Sequence, residues 1–140
     1  MRTVVVGVDG SEPSLRALLF AASLVEDLAG ARLLAVHARY VGYLWSPDHV
    51  AEAEFADVLD DAERYVRTAV EDRLAGCTAD WSLDVRDGEP AHVLCEVARE
   101  VDASFIVAGR RGWTIAEELL LGSVSNRLVH RSTTPVLLVR

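Results

Sequence analysis

Nearly unbroken apolar runs alternate along the chain with longer stretches in which apolar residues recur every three or four positions. Continuous apolar runs are typical of strands covered on both faces, and the longer spacing is typical of amphipathic helices. The pattern predicts five strands: Thr3–Asp9, Arg32–Ala38, Asp80–Arg86, Ser104–Gly109 and Pro135–Arg140. It predicts four helices: one after Ser11, then about Ala51–Leu74, Ala91–Val101, and a last one from near Gly122–Ser123.

Strands that alternate with helices of ten or more residues indicate an α/β fold with a parallel sheet. Right-handed crossovers would place helices on both faces and make the sheet doubly wound. Neither a linker nor an internal repeat interrupts the alternation, so we expect one domain over residues 1–140.

Composition narrows the function classes. A formal net charge of −8 disfavours a nucleic-acid partner, because phosphate backbones are bound by clustered Lys and Arg. A small anion can still be held by backbone N–H groups at a helix start. The apolar runs are too short to span a bilayer, and the start MRTVVVGVDG lacks the features of a signal peptide, so we expect a cytoplasmic protein without a membrane partner.

Candidate chemistry lies where the predicted strands end. In an open parallel sheet, ligands bind beyond the carboxyl ends of the strands, where the strand order reverses. Asp9 follows the first predicted strand, Ala38 ends the second and Gly109 ends the fourth. We therefore expect these three residues to lie on one edge of the sheet.

Glycines are spaced as Gly109-x2-Gly112-x9-Gly122, with Ser123 directly after the last one. Glycine permits positive φ or a close approach of a ligand to the backbone. At the start of the last helix, Gly122, Ser123 and Val124 would form a cradle of amides suited to phosphates. The spacing fits neither a Walker A loop nor a GxGxxG dinucleotide loop. The alternative is that the glycines serve only turns and a helix start.

This glycine spacing, followed by SNRLVHRSTTPVLLVR, resembles the ATP-binding branch of the universal stress protein family. The segment VVVGVDGSEPS resembles that family's first strand and loop, LLAVHA its second strand, and DGEPAHVLCEVA its third helix. The resemblance implies an open, doubly wound, Rossmann-like sheet of five parallel strands in the order 3-2-1-4-5. It also implies that ATP is held at the carboxyl edge of this sheet.

The resemblance further implies roles for individual residues. Asp9 matches an acidic residue at the adenine and ribose, and Ala38 matches a position whose backbone recognises adenine. The other implied cofactor-binding residues are Gly7 and Val8 at the base, Gly109 at the ribose, and Gly112, Gly122, Ser123 and Val124 at the phosphates. Arg110 stands where many relatives have Ser or Thr, and it could bind phosphate or point to solvent. An Asp near a helix start also fits a capping role, which is compatible with ribose binding.

Three function classes remain. The first is a nucleotide-dependent regulatory module of the stress response; the others are a slow ATPase or phosphotransferase and a nucleotide-free interaction protein. Phosphoryl transfer needs a clamp on the γ-phosphate, yet no Walker lysine is present and only Glu117 and Glu118 lie near the glycines. We therefore expect no catalytic or metal-ligating residue, and any Mg²⁺ or Mn²⁺ would be held mainly through the phosphates. We expect His37 to be a hydrogen-bonded interior histidine.

The last predicted strand, Pro135–Arg140, is apolar and should lie at an edge of the sheet. Bare apolar edges favour pairing with another chain. The resemblance implies a homodimer formed through this strand across a two-fold axis.

Overall fold

The computed structural model describes residues 2–40, 52–110 and 122–140, and side chains in the second range from Glu54 onward. Within these ranges, five strands alternate with four helices. The strands are β1 (Arg2–Gly7), β2 (Ala31–Arg39), β3 (Asp80–Asp87), β4 (Phe105–Gly109) and β5 (Val136–Val139). The helices are α1 (Glu12–Asp27), α2 (Glu52–Arg73), α3 (Pro90–Glu100) and α4 (Ser123–Arg131). Every predicted element is confirmed, with most boundaries moved by one to three residues.

The strands form one parallel sheet in the order β3-β2-β1-β4-β5, which confirms the doubly wound α/β fold. The chain first builds outward from β1 to β2 and β3, and then returns to place β4 on the other side of β1. The strand order therefore reverses between β1 and β4. At such a switch point the loops on either side diverge and leave a crevice at the carboxyl edge.

Successive residues of the central strand β1 serve opposite faces of the sheet. Val4 and Val6 belong to a core cluster with Leu18 of α1 and Val70 of α2. Val5 belongs to a second cluster, with residues of α3 and α4 that include Val97 and Leu128. Both faces are thus covered by helices, which explains the continuous apolar runs in the sequence.

Among the helices within the described ranges, none combines the length and the apolarity that crossing a membrane requires.

Candidate functional site

A cavity of about 460 Å³ lies at the carboxyl edge of the sheet. Its walls come from the ends of β1, β2 and β4, the first half of α2 and the starts of α3 and α4. Small-molecule sites commonly have this size and this position in an open α/β sheet. The cavity is therefore the natural candidate for a ligand site.

All the predicted site residues except Arg110 and Gly112 line this cavity, namely Gly7, Val8, Asp9, Ala38, Gly109, Gly122, Ser123 and Val124. Gly112 lies outside the described residues. Arg110 is half-buried and is not among the described residues that line the cavity. Its main-chain N–H donates to the carbonyl of Val139 at 2.7 Å. The expected meeting of Asp9, Ala38 and Gly109 on one edge is confirmed.

Asp9 is held by the loop that joins β1 to α1. Its main-chain N–H donates to Ser14 Oγ at 3.2 Å, and its Oδ1 accepts from Ser11 N–H at 2.8 Å and from Ser11 Oγ at 2.5 Å. Gly10 turns the chain between them with a φ of 86°, a conformation that favours glycine. The N-cap of α1 is Ser11, whose side chain accepts from Ser14 N–H, so the carboxylate of Asp9 holds the capping residue and does not itself cap the helix. Asp9 lies in the cavity wall.

The main-chain N–H and C=O of Ala38 face the side of β2 on which β1 lies, at a point where β1 has already ended. Along a central parallel strand, consecutive residues direct their N–H and C=O groups to alternate neighbours. The Val36 carbonyl accepts from Val8 N–H of β1 at 2.9 Å, and the Arg39 carbonyl accepts from Gly88 N–H beyond β3 at 3.0 Å. By this alternation the N–H and C=O of Ala38 point toward β1, which ends at Gly7. The cavity wall thus contains a main-chain donor and a main-chain acceptor side by side.

Helix α4 begins at Gly122, which makes no side-chain capping hydrogen bond. With a φ of −61°, Gly122 does not adopt the positive φ that glycine allows. Its own N–H donates to the Arg110 carbonyl at 2.9 Å. This contact corrects the expectation that the Gly122 amide belongs to an anion cradle. The other amides of the first turn are those of Ser123, Val124 and Ser125, which have no carbonyl partner within the helix.

Ser125 is a cavity residue that the sequence did not single out. Its hydroxyl lies 2.9 Å from the carbonyl of Gly109 and 2.7 Å from that of Arg110, and it donates to this pair. The side chain therefore ties the end of β4 to the first turn of α4. A Ser three residues after a helix-starting glycine is a weak signal, because a hydroxyl at this position has many local partners.

Glu89 is the N-cap of the neighbouring helix α3 and places a carboxylate at its start. Its carboxylate caps α3 by accepting from Ala91 N–H at 3.1 Å and His92 N–H at 3.0 Å, and it pairs with Arg127 of α4 at 3.0 Å. Burial alone would raise the pKa of Glu89, but these amides and the guanidinium hold it below its ordinary value. Helix α3 therefore carries its own anion, whereas Gly122, the N-cap of α4, makes no side-chain capping hydrogen bond.

His37 forms part of the cavity wall and is 6% exposed. Its Nδ1 lies 3.0 Å from the Val8 carbonyl, which confirms the expected hydrogen-bonded interior histidine. Burial lowers the pKa of His37, and the Val8 carbonyl, Asp9 and Glu63 oppose this effect only in part. The ring is therefore uncharged at neutral pH.

Among the described residues, no group of three or more His, Cys, Asp or Glu side chains is arranged to hold a metal ion. Glu117 and Glu118 lie outside these residues.

Comparison with known proteins shows the family of this chain. The universal stress protein family model matches residues 1–140. The chain belongs to this family. A universal stress protein of Thermus aquaticus is 34% identical to it, over 99% of this chain and 98% of the relative.

Solved universal stress proteins share the fold. The chain matches UspA of Lactobacillus plantarum with a TM-score of 0.85 at 20% identity, over 99% of this chain and 97% of that one. It also matches a universal stress protein solved in complex with cAMP, with a TM-score of 0.64 at 32% identity, over 99% and 96% of the two chains. Both the architecture and the family inferred from the sequence are thus confirmed.

Proposed function

We propose that this universal stress protein binds ATP in the cavity at the carboxyl edge of its sheet and acts as a nucleotide-dependent regulatory module. One observation carries the proposal: the start of α4, where Gly122 makes no side-chain capping bond, and the main chain of Ala38 border the same cavity. The first can bind an anion and the second can bind a flat, hydrogen-bonding ring. A nucleotide contains both groups in one molecule.

The base fits the β2 side of the cavity. Adenine has a donor, its 6-amino group, next to an acceptor, its N1 atom. The neighbouring C=O and N–H of Ala38 offer the complementary pair, and Gly7 and Val8 line the same wall. The universal stress protein solved with cAMP, which is 32% identical to this chain, supports an adenine ligand.

The phosphates fit the start of α4. Amides in the first turn of a helix lack carbonyl partners within the helix, and the helix dipole adds about half a positive charge there. The missing side chain of Gly122 lets a phosphate approach the amides of Ser123, Val124 and Ser125. Gly109 and Asp9 line the cavity between this end and the base, where the ribose would lie. For Gly112 and Arg110, phosphate binding stays a prediction.

A divalent cation would accompany the nucleotide. Mg²⁺ or Mn²⁺ neutralises phosphate charge, which is useful in a protein with a formal net charge of −8. Because phosphates are themselves strong oxygen ligands, the cation would be held mainly by them. Turnover would be slow at most, since the sequence contains no Walker lysine.

Isothermal titration of the purified protein with ATP tests this proposal. Gly122→Val should weaken ATP binding at least about tenfold, because the valine side chain blocks the first-turn amides while its backbone stays unstrained at a φ of −61°. Gly76→Val is the matched control, since a Cβ at Gly76 has no neighbour within 4 Å. Equal affinities of wild type and Gly122→Val would contradict the phosphate site.

The same titration with AMP, ADP, cAMP and GTP ranks the ligands. A steady-state assay for released phosphate separates binding from catalysis. Turnover faster than about 1 s⁻¹, the low end for ordinary enzymes, would favour the ATPase alternative. Absence of binding to every nucleotide would favour the interaction protein.

The assembly expected from the sequence belongs to the same proposal. β5 is an edge strand of the sheet, and its residues remain half-exposed in the single chain. A homodimer through Pro135–Arg140 would cover them. Light scattering should give twice the chain mass at micromolar concentration, and a monomer mass would contradict the dimer. The cytoplasmic location likewise stays a prediction.

A further inference from the structure

The parallel ladder between β1 and β2 stops one rung earlier than its register allows. The two strands pair residue by residue from Arg2 with Ala31 to Gly7 with Val36. Beyond Gly7, Val8 N–H still donates to the Val36 carbonyl at 2.9 Å. By the alternation along β2, the next bond of the ladder would join Ala38 N–H to the Val8 carbonyl. Among the described residues, no such main-chain bond forms.

The Val8 carbonyl is instead bonded to the side chain of His37, whose Nδ1 lies 3.0 Å away. A carbonyl oxygen only accepts, so Nδ1 carries the hydrogen and donates it. A carbonyl oxygen can accept twice, but among the described residues the Val8 carbonyl accepts from the imidazole of His37 and from no main-chain amide. The main-chain N–H of Ala38 is left facing the cavity.

Stability alone does not explain a histidine at this position. With Nδ1 as the donor, the neutral ring has an unprotonated Nε2, and this atom is buried without a hydrogen-bond partner among the described residues. A buried unsatisfied polar atom destabilises the folded protein. An apolar side chain in this 6% exposed position would avoid that cost. What distinguishes the histidine from such a side chain is its bond to Val8.

We propose that His37 is a positioning residue that keeps the Ala38 amide available to a ligand by taking the Val8 carbonyl as its own acceptor. For the ligand, this inference rests on the proposed nucleotide site. The part of the inference that concerns the hydrogen bonds between β1 and β2 applies to the nucleotide-free protein alone. The two parts can therefore be tested separately.

Two substitutions of His37 provide a matched pair. In His37→Asn, the side-chain amide nitrogen occupies nearly the place of Nδ1 and retains the donor. In His37→Leu, a side chain of similar bulk has no donor. The Val8 carbonyl should then accept from Ala38 N–H and extend the ladder by one bond. Both full-length variants would be compared with wild type.

Hydrogen exchange of the Ala38 amide, measured by NMR without nucleotide, is the decisive readout. Exchange should be fast in wild type and in His37→Asn, and at least about tenfold slower in His37→Leu, because the amide is newly bonded. A merely structural role of His37 would predict the opposite, since loosening the site would speed exchange. Equal exchange in wild type and His37→Leu would overturn the proposal.

ATP titration adds the functional readout. Affinity should fall about tenfold in His37→Leu, the worth of one hydrogen bond, and stay within about threefold of wild type in His37→Asn. Equal losses in both variants would overturn the positioning role. If His37→Leu does not fold, His37→Gln replaces it, because its amide lies too far along the side chain to reach Val8. If wild type binds no nucleotide, the proposed function fails. The exchange experiment still tests whether His37 prevents the bond from Ala38 N–H to the Val8 carbonyl.

Discussion

Helices α3 and α4 both begin at the rim of the cavity, and they begin differently. The N-cap of α3 is Glu89, whose carboxylate accepts from two first-turn amides. The N-cap of α4 is Gly122, which offers no side chain at all. Every helix start needs acceptors for its first amides. In α3 the acceptor is the side chain of Glu89, whereas at α4 we propose that the nucleotide supplies it.

The contrast leads us to expect that the phosphates of the proposed nucleotide bind at one of these two helix starts. Two helix starts near one cavity could both attract phosphate through their dipoles. At α3 the carboxylate of Glu89 already occupies two first-turn amides, and it pairs with Arg127 of α4. We therefore expect an incoming phosphate to bind at Ser123–Ser125 and not at the start of α3.

Gly122→Asp should have the largest effect, because it gives α4 the kind of start that α3 has. The backbone of Gly122, with φ −61° and ψ 163°, already suits a capping Asp. The new carboxylate would bond the first-turn amides and repel phosphate, so ATP affinity should fall at least about 100-fold. The free energy of unfolding should stay unchanged or rise by up to about 1 kcal/mol.

Calorimetry with ATP and denaturant unfolding measure these two quantities on the same variant. Gly122→Ser, with an uncharged cap, is the control and should lose less affinity than Gly122→Asp. Unaltered ATP binding by Gly122→Asp would show that the start of α4 does not hold the phosphates.

Glu89→Ala should have the opposite signature. It removes the cap of α3 and the ion pair to Arg127 from a largely buried side chain. The free energy of unfolding should fall by about 2 kcal/mol, and ATP affinity should change less than about threefold. The denaturant midpoint at unchanged slope gives the first value and ATP titration the second. A large loss of affinity would mean that Glu89 takes part in binding.

Ser125→Ala should have a smaller effect. The hydroxyl holds the carbonyls of Gly109 and Arg110 against α4 from a position that is 1% exposed. Its loss should cost about 1 kcal/mol of unfolding free energy. It should also weaken ATP binding a few-fold, because the end of β4 is no longer fixed to the first turn. Ser123→Ala, which removes the hydroxyl two residues earlier, is the comparison variant. A wild-type unfolding curve for Ser125→Ala would rule out this tie.

The pH dependence of stability should show the smallest effect. The pKa of Glu89 lies below its ordinary value of about 4.5 in the folded protein. Its stabilising contribution is therefore complete above that value and is lost as the pH falls through the folded pKa. The difference in unfolding free energy between wild type and Glu89→Gln should narrow between pH 5 and about pH 3. A difference that stays constant over this range would contradict the cap.

The fold followed from patterns that are local in the sequence. The alternation of apolar runs and helical spacing predicted all the strands and helices, and the strand-end rule brought Asp9, Ala38 and Gly109 together. These predictions succeeded because secondary structure and the edge of a parallel sheet depend on short-range periodicity and on topology.

Contacts between distant segments were not predictable in this way. The bond from Gly122 N–H to the Arg110 carbonyl depends on how the intervening loop returns, and it removed one amide from the expected cradle. The ion pair of Glu89 with Arg127 joins residues far apart in the chain. The bond of His37 to Val8 depends on the register of two strands. No local pattern specifies such contacts.

The central claim is that the first-turn amides of α4, and not those of α3, hold the phosphates of ATP. Assigned amide spectra of the ¹⁵N-labelled protein, titrated in parallel with ATP and with adenosine, test it most directly. Shifts caused by ATP but not by adenosine should concentrate at Ser123, Val124 and Ser125, while Ala91 and His92 should stay unchanged. Phosphate-dependent shifts at α3, or none at α4, would contradict it.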